Sequence, residues 1–397
     1  MRKQRSQWVN AEKGLLNFLA YLRRMARQFE YTTLAHRYTA RFPVLTYVGI
    51  QVNFWIIANI LLALLTNLQS QIFSQTYHVK VVEQFGSTLM IAVILGVLYG
   101  VILGLTGYYS DKKFFRNQSL GKVIVFKTLT SLGVLMLTLV LLRYVFFDPL
   151  ISPPFNIVGL TLNKESWRLL FFLLVIYYFF MTLVISFINQ VNKKYGPGIL
   201  IPLLLGRYRN PKEEDRIFMF MDLKSSTTTA EQLGHLKYSA FIRDCFSDIN
   251  EVLYPFCAQV YQYVGDEIVV TWPEKEGIRN HFCIEFYFAC KRQFQDRAGY
   301  YKTNYGFLPD FKAGAHTGTV TTVEIGEYKR DLAYHGDTLN TASRIQGVCN
   351  EYNKSFLVSK LLLDKAGTHP NMKTQDLGMI LLKGKTAKVG LVSVDWG

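Results

Sequence analysis

Phe218-Met219-Phe220-Met221-Asp222-Leu223-Lys224-Ser225-Ser226-Thr227-Thr228-Thr229 decides how the rest of the chain is read. An apolar run ends on a carboxylate and passes into a short polar turn, and an amphipathic stretch follows. The pattern predicts a strand, Ile217–Met221, that carries Asp222 at its C-terminal end, ahead of a helix, Thr228–Val252. A carboxylate beside the free backbone N–H groups of a helix start makes a place for a divalent cation and a phosphate chain. The same residues would also serve as a plain strand followed by an Asp/Ser helix cap. What separates the two readings lies elsewhere in the chain.

The 397 residues are half hydrophobic and carry a formal charge of +15. The apolar residues are unevenly spread: the long uncharged runs lie before Asn192, and charges of both signs are dense after Asn210. This is a membrane half joined to a soluble half. Lys and Arg cluster next to the apolar runs, so membrane topology accounts for the basic excess and a nucleic-acid partner is not expected. Cys245, Cys257, Cys283, Cys290 and Cys349 all fall in the soluble half, with no CxxC pair and no zinc spacing, and read as reduced thiols of a cytosolic domain. The seven His form no HExxH or other metal-ligand spacing.

Residues 1–42 are basic and amphipathic, with Leu15, Leu16, Phe18, Leu19, Leu22 and Met25 on one helical face beside Arg23, Arg24 and Arg27. A helix lying on the inner leaflet fits this pattern, and a cytosolic amphipathic helix is the alternative. The apolar stretch is too late, short and charged for a cleaved signal peptide. Four apolar segments follow within residues 43–191, near Val44–Thr66, Thr88–Tyr108, Val123–Leu142 and Trp167–Ile188. Each is about long enough to cross ~30 Å of hydrocarbon. Lys127 stands near one end of the third, where it can snorkel. Arg23, Arg24, Arg27, Arg37 and Arg41, the loop Asp111-Lys-Lys-Phe-Phe-Arg116 and Lys193-Lys194 put the basic charge on one side. The positive-inside rule then makes both termini cytoplasmic, in a multi-pass protein of the inner (plasma) membrane surrounded by lipid. Gly96, Gly100 and Gly104 repeat at small-xxx-small spacing, for close helix packing within or between chains. No span carries a buried acid, so an ion or proton pathway is not expected.

Gly196-Pro197-Gly198 stops the fourth span. The linker 192–215 holds an apolar patch, Ile199 to Leu205, larger than a passive connection needs, and is expected to dock and to couple the two halves. From Arg216 to the C-terminus, 216–397, about 180 residues suffice for one core. The pattern after the first strand and helix reads as a hairpin (Gln259–Trp272), a helix (Gly277–Ala298), two strands (Phe311–Thr317, Thr319–Ile325), a helix (Thr338–Asn353), a strand (Phe356–Val358), a short helix and a strand pair (Met379–Lys383, Val389–Val394). Helices alternating with strands that are interrupted by hairpins point to an α+β or α/β sandwich with a mixed or antiparallel sheet.

Three more stretches bear on chemistry. Val260-Tyr-Gln262-Tyr-Val-Gly265-Asp266-Glu267 has a tight-turn signal between alternating strands. Asp266 is a turn residue on that reading; paired with Asp222 it would let two cations sit ~3.5–4 Å apart. In Tyr334-His-Gly336-Asp337-Thr-Leu-Asn340-Thr-Ala-Ser-Arg344, the Asn and Arg are four apart at a helix start and share a face. Leu382-Lys383-Gly384-Lys385 is a basic turn near the end.

In this order and spacing the four stretches resemble the catalytic domain of class III nucleotidyl cyclases, the adenylate and guanylate cyclases, over the whole of Ile217 to Val394. The resemblance implies a cytosolic ferredoxin-like βαββαβ α+β core behind a four-helix transmembrane domain. It implies adenylate cyclase activity on ATP, with guanylate cyclase or dual specificity as the alternative, and a head-to-tail homodimer with two shared sites. By the resemblance, Asp222, the carbonyl of Leu223 and Asp266 hold two Mg²⁺ or Mn²⁺ ions, and the backbone of Lys224, Ser225, Ser226 and Thr227 binds the triphosphate. Asn340 would orient the ribose, Arg344 would meet transition-state charge, and Lys383, in preference to Lys385, would bind phosphate. The chain departs from the family at the base-reading positions. Adenylate cyclases typically carry Lys, with Asp or Thr, and guanylate cyclases Glu and Cys, where this chain has Gln262 and Ala333. A Gln amide donates and accepts, so it suits either purine, whereas Ala offers no hydrogen bond.

Overall fold

The structure, a computed structural model, describes residues 42–78, 85–113, 120–141, 164–195, 206, 208–328 and 330–396. The amphipathic N-terminal segment and the apolar patch of the linker lie outside the described residues, as do Phe114, Phe115 and Arg116 of the basic loop. The chain divides into two compact units, with Phe42–Tyr195 as one of them.

That unit is built of α1 (Pro43–Tyr77), α2 (Phe85–Lys113), α3 (Leu120–Leu141) and α4 (Lys164–Tyr195). All four are long and apolar enough to cross a membrane. Gly96, Gly100 and Gly104 are used inside the chain, where α2 lies against α1. A Cβ on Gly100 would stand 2.5 Å from Cα of Val52, and one on Gly96 2.6 Å from Cα of Ile56. Only a residue without a side chain lets the backbones come so close. Trp55, 1% exposed, packs edge-on to Tyr99 and stacks on Tyr178. The buried polar groups are uncharged, and several of them bond across helices. Tyr178 donates to Asn59 at 2.7 Å, Ser131 bonds Thr182 at 2.7 Å, and the Gln51 amide donates to Asn189 at 3.1 Å. Lys127 turns its amine to the Tyr47 hydroxyl of α1, at 3.4 Å.

The second unit contains β1 (Lys212–Leu223), α5 (Ser226–Leu253), β2 (Gln259–Val264), β3 (Glu267–Pro273), α6 (Glu274–Ile278), α7 (Phe282–Asp296), α8 (Ala298–Tyr305), β4 (Phe311–Ile325), β5 (Asp331–His335), α9 (Asp337–Gly347), β6 (Phe356–Ser359), α10 (Lys360–Ala366), β7 (Met372–Ile380) and β8 (Val389–Trp396). The strands form one mixed sheet in the order β2-β3-β1-β4-β6-β8-β7, with β5 paired to the far half of β4. The first four strands with α5 and α7 make the βαββαβ core, antiparallel throughout. Among the described strands, only β4 and β6 run parallel.

β1 is central, and its alternation assigns its two faces. Ile217, Met219 and Met221 point into the main core with Phe241 and Ile249 of α5 and Phe286 of α7. Phe218 and Phe220 point the other way, toward Val269, Val320, Tyr334 and Ala342 of α9. Asp222 continues the second set, so period two alone puts it on the α9 face.

Several boundaries differ from the sequence reading. β1 opens at Lys212, taking in residues assigned to the linker, because Lys212–Asp215 pair with Thr319–Thr322 of β4. Phe311–Ile325 is one strand and not two. Gly318 does not break it, because its bare backbone makes room for Thr338 of α9. The expected helix from Gly277 to Ala298 is split at Asn280 and His281, both in left-handed backbone. β5 was not expected, and the penultimate strand lies at Met372–Ile380, where polar residues on an edge strand hide the alternation.

Candidate active site

Asp222 is the next-to-last residue of β1, between two strands, opposite Glu267 of β3 and Lys312 of β4. Its Oδ2 receives the Lys312 amine at 3.2 Å and the Gln346 amide of α9 at 3.2 Å. Burial raises its pKa, Lys312 opposes the rise, and the charge of Asp266 adds to it. Asp266 comes in on the β2–β3 turn. The hairpin therefore brings together two acids that stand 44 positions apart (266 minus 222). Glu267 feels the same surroundings: burial first, then Asp222 and Asp266, push its carboxyl up to about 7. The hydroxyl pKa of Tyr238 on α5 is raised by burial and then by the charges of Asp266 and Asp222.

Oδ2 of Asp266 is buried and has no hydrogen-bond partner. A carboxylate oxygen in that condition is costly unless something positive meets it. Together with the crowding of negative charge around Asp222, this is a donor set that fits a hard divalent cation. The buried side chain of Leu223 fixes the backbone next to Asp222.

The turn after β1 is tight. Ser225 sits in left-handed backbone, and its side chain does not cap α5. The N–H groups of the first turn of a helix have no partner within it, so those of Ser226 and Thr227 are the donors this turn offers to an anion. Lys224 is different: its N–H is taken by the Asp310 carbonyl at 2.9 Å, and its amine by Asp310 and Ser355. This removes Lys224 from the phosphate-facing donors expected of the stretch, because the β1 end is stitched to the start of β4.

α9 lies directly on β4. A Cβ on Gly314 would stand 2.2 Å from the backbone N of Gln346, so no other residue permits this contact. Two residues apart on a helix means roughly 200° of rotation. Gln346 is buried toward Asp222, and Arg344 projects away, alongside Gly384 of the basic turn. Asn340 is exposed. Lys385 is paired with Asp337 at the start of α9, whereas the Lys383 side chain is exposed. One chain thus presents acids on one side of α9 and Arg344 with the basic turn on another; it does not bring them together.

Gln262 is exposed on β2, after a bulge, and Ala333 is buried on β5. Their neighbours touch: the Tyr261 and Tyr334 rings are 5.0 Å apart, and Tyr334 N–H donates to the Tyr261 hydroxyl. Lys312, Gln346 and Glu267 were not singled out from the sequence. Glu267 had a signal, standing next to Asp266; the other two are marked only by strand register and helix packing.

The βαββαβ core thus carries two aspartates, one at a strand end and one on the adjoining hairpin turn, and an Asn/Arg helix packed on its β4 strand. Residues 210–392, somewhat under half of the chain, match the family described as the adenylate and guanylate cyclase catalytic domain. Adenylate cyclase 2 of Rhizobium meliloti (strain 1021) is 33% identical over 213 residues, 54% of this chain and 59% of that protein. Adenylate cyclase 1 of the same organism is 27% identical over 182 residues, 44% of this chain and 27% of that protein. The chain thus spans less than two thirds of either relative. Among solved structures, the adenylyl cyclase CyaB from P. aeruginosa is 17% identical, with 47% of this chain and 97% of that one covered at a TM-score of 0.41. The guanylate cyclase domain of RhGC from Catenaria anguillulae, in complex with GTP, is 18% identical, with 47% and 98% covered at 0.39.

Proposed function

We propose that this chain is a membrane-anchored adenylate cyclase that converts ATP to 3′,5′-cyclic AMP and pyrophosphate at sites shared by two copies of the chain. The observation that carries the reading is the meeting of Asp222 and Asp266, with one buried oxygen of Asp266 lacking a protein partner. The relatives that are adenylate cyclases support ATP as substrate. Asp222, Asp266 and the Leu223 carbonyl would hold Mg²⁺ or Mn²⁺, two per site. The chemistry supplied by such a pair, when bound, is activation of the ribose 3′-hydroxyl and neutralisation of phosphate charge.

The chain's own groups do the rest. Ser226 and Thr227 N–H groups at the start of α5, with Ser225 shaping the turn, hold phosphate oxygens. Asn340 orients the ribose, and Arg344 meets the spreading phosphate charge with a planar donor fork. Lys383 reaches the triphosphate. The 3′ oxygen attacks the α-phosphorus, its proton passes to solvent, and the bond from that phosphorus to the bridging oxygen breaks to release pyrophosphate. No side-chain base is required.

The placement of Arg344 and Asp222 on different sides of α9 supports a homodimer in which each site takes its acids from one chain and its Asn/Arg helix from the other. The four apolar helices support membrane anchoring. The basic flanks support an inner-membrane protein with both termini cytoplasmic.

The exposed Gln262 amide, with Ala333 offering nothing, favours a second reading as guanylate or dual-specificity cyclase. Turnover of the purified full-length protein with ATP or GTP, each with Mg²⁺ and with Mn²⁺, decides between them. Cyclic AMP formation well above cyclic GMP formation is expected, and equal rates or a GTP preference would overturn the choice of ATP.

A further inference from the structure

Gln346 is a buried polar side chain on α9, with its amide N–H directed at Oδ2 of Asp222 at 3.2 Å. The Lys312 amine reaches the same oxygen at 3.2 Å. Both donors fall on one side of the carboxylate, which leaves Oδ1 for another partner. The helix that carries Gln346 has no slack: Gly314 admits its backbone at a distance no side chain would allow, and Thr338, at its other end, donates to the Thr319 carbonyl at 3.0 Å.

We infer that Gln346 is a positioning residue for Asp222, fixing the carboxylate in the orientation that receives a divalent cation. A carboxylate with one oxygen pinned and the other open presents a preformed ligand, and loss of such an outer partner weakens metal binding. The inference rests on the proposed assignment of Asp222 as a metal ligand. Its distinctive consequence comes from the helix. Gln346 serves the acids of its own chain, while Arg344, two residues earlier, serves the site completed by the other chain. The same helix therefore supports both sites, through different residues.

The test uses the full-length protein with Gln346→Leu, and with Gln346→Met as a second variant should the first fail to fold. Mn²⁺ titration without nucleotide, followed by electron paramagnetic resonance, should show the dissociation constant raised by about tenfold. A constant unchanged within twofold in a folded variant overturns the inference.

The second arm uses paired chains, one Asp222→Ala and the other Arg344→Ala, which leave one competent shared site. Gln346→Leu should raise the Mn²⁺ concentration needed for half-maximal activity when placed in the chain that supplies Asp222, and leave it unchanged in the chain that supplies Arg344. Equal effects in both placements would mean that Gln346 merely supports α9, and would sink the inference. If the parent pair is inactive from the start, the shared-site reading fails instead, and the Mn²⁺ titration still decides the role of Gln346.

Discussion

Asp222 of β1 and Glu267 of β3 stand directly opposite each other across paired antiparallel strands. Side chains at such positions share a face and lie close together. With Asp266 adjacent, three carboxyl groups crowd a half-buried corner, and burial and mutual repulsion bring Glu267 up to about 7. Its folded pKa lies above its unfolded value, so the folded state holds a proton that the unfolded chain has released. Stability therefore falls as pH rises from about 4.5 to about 7. Glu267→Gln should stabilise the metal-free protein at pH 8 by about 1–2 kcal/mol after allowance for solvent screening. The gain should vanish near pH 4.5, and denaturant melts at the two pH values check it.

The same crowding predicts that cations stabilise the fold. Mn²⁺ without nucleotide should raise the melting temperature of the wild-type protein, and Asp266→Asn should abolish the rise. Asp222→Ala and Asp266→Ala should each reduce cyclase turnover by at least about a hundredfold while leaving the fold intact by circular dichroism. Intact turnover in either variant would remove the basis of the proposed function.

His316 lies on β4 beside Ser359, with Nδ1 at 2.7 Å from Oγ. The Ser359 hydroxyl also accepts the Leu362 N–H at the start of α10. Burial, reinforced by Lys385, lowers the His316 pKa to about 4. Between about 6.5 and about 4 the unfolded chain binds a proton that the folded one refuses, so stability should drop as pH falls through that window. The loss is about 3 kcal/mol at most. His316→Asn should flatten this slope in urea melts taken from pH 7 to pH 4.

Two close approaches carry mutational predictions. Gly314→Val would push α9 off β4 at Gln346, with an expected cost of about 1–3 kcal/mol and a loss of cyclase turnover larger than the stability change explains. Gly100→Leu would separate α2 from α1 at Val52 and lower the melting temperature of the protein in detergent. Wild-type behaviour of either variant would show that the helix packs differently.

Local chemistry made much of this legible in advance. Long uncharged runs announce helices long and apolar enough to cross a membrane, and the alternation of Ile217–Asp222 gives a strand with a carboxylate near its end, because burial and period two act over a few neighbouring residues. Gly265-Asp266 marks its hairpin for the same reason. The continuous course of β4 through Gly318, the edge strand at Met372–Ile380 and the added strand β5 were hidden, since each depends on what packs or pairs beside it and not on its own pattern.

By itself the sequence determined two halves of different solvent preference, and it supplied the two aspartates and the Asn/Arg pair as separate stretches. Only the tertiary structure decided that Lys312 and Gln346 converge on Asp222, that Lys224 is occupied by Asp310, and that Arg344 faces away from the acids of its own chain. Those relations follow from strand register and from the depth at which α9 settles on Gly314. Both are set by contacts between segments far apart in the chain, which no local run of residues encodes.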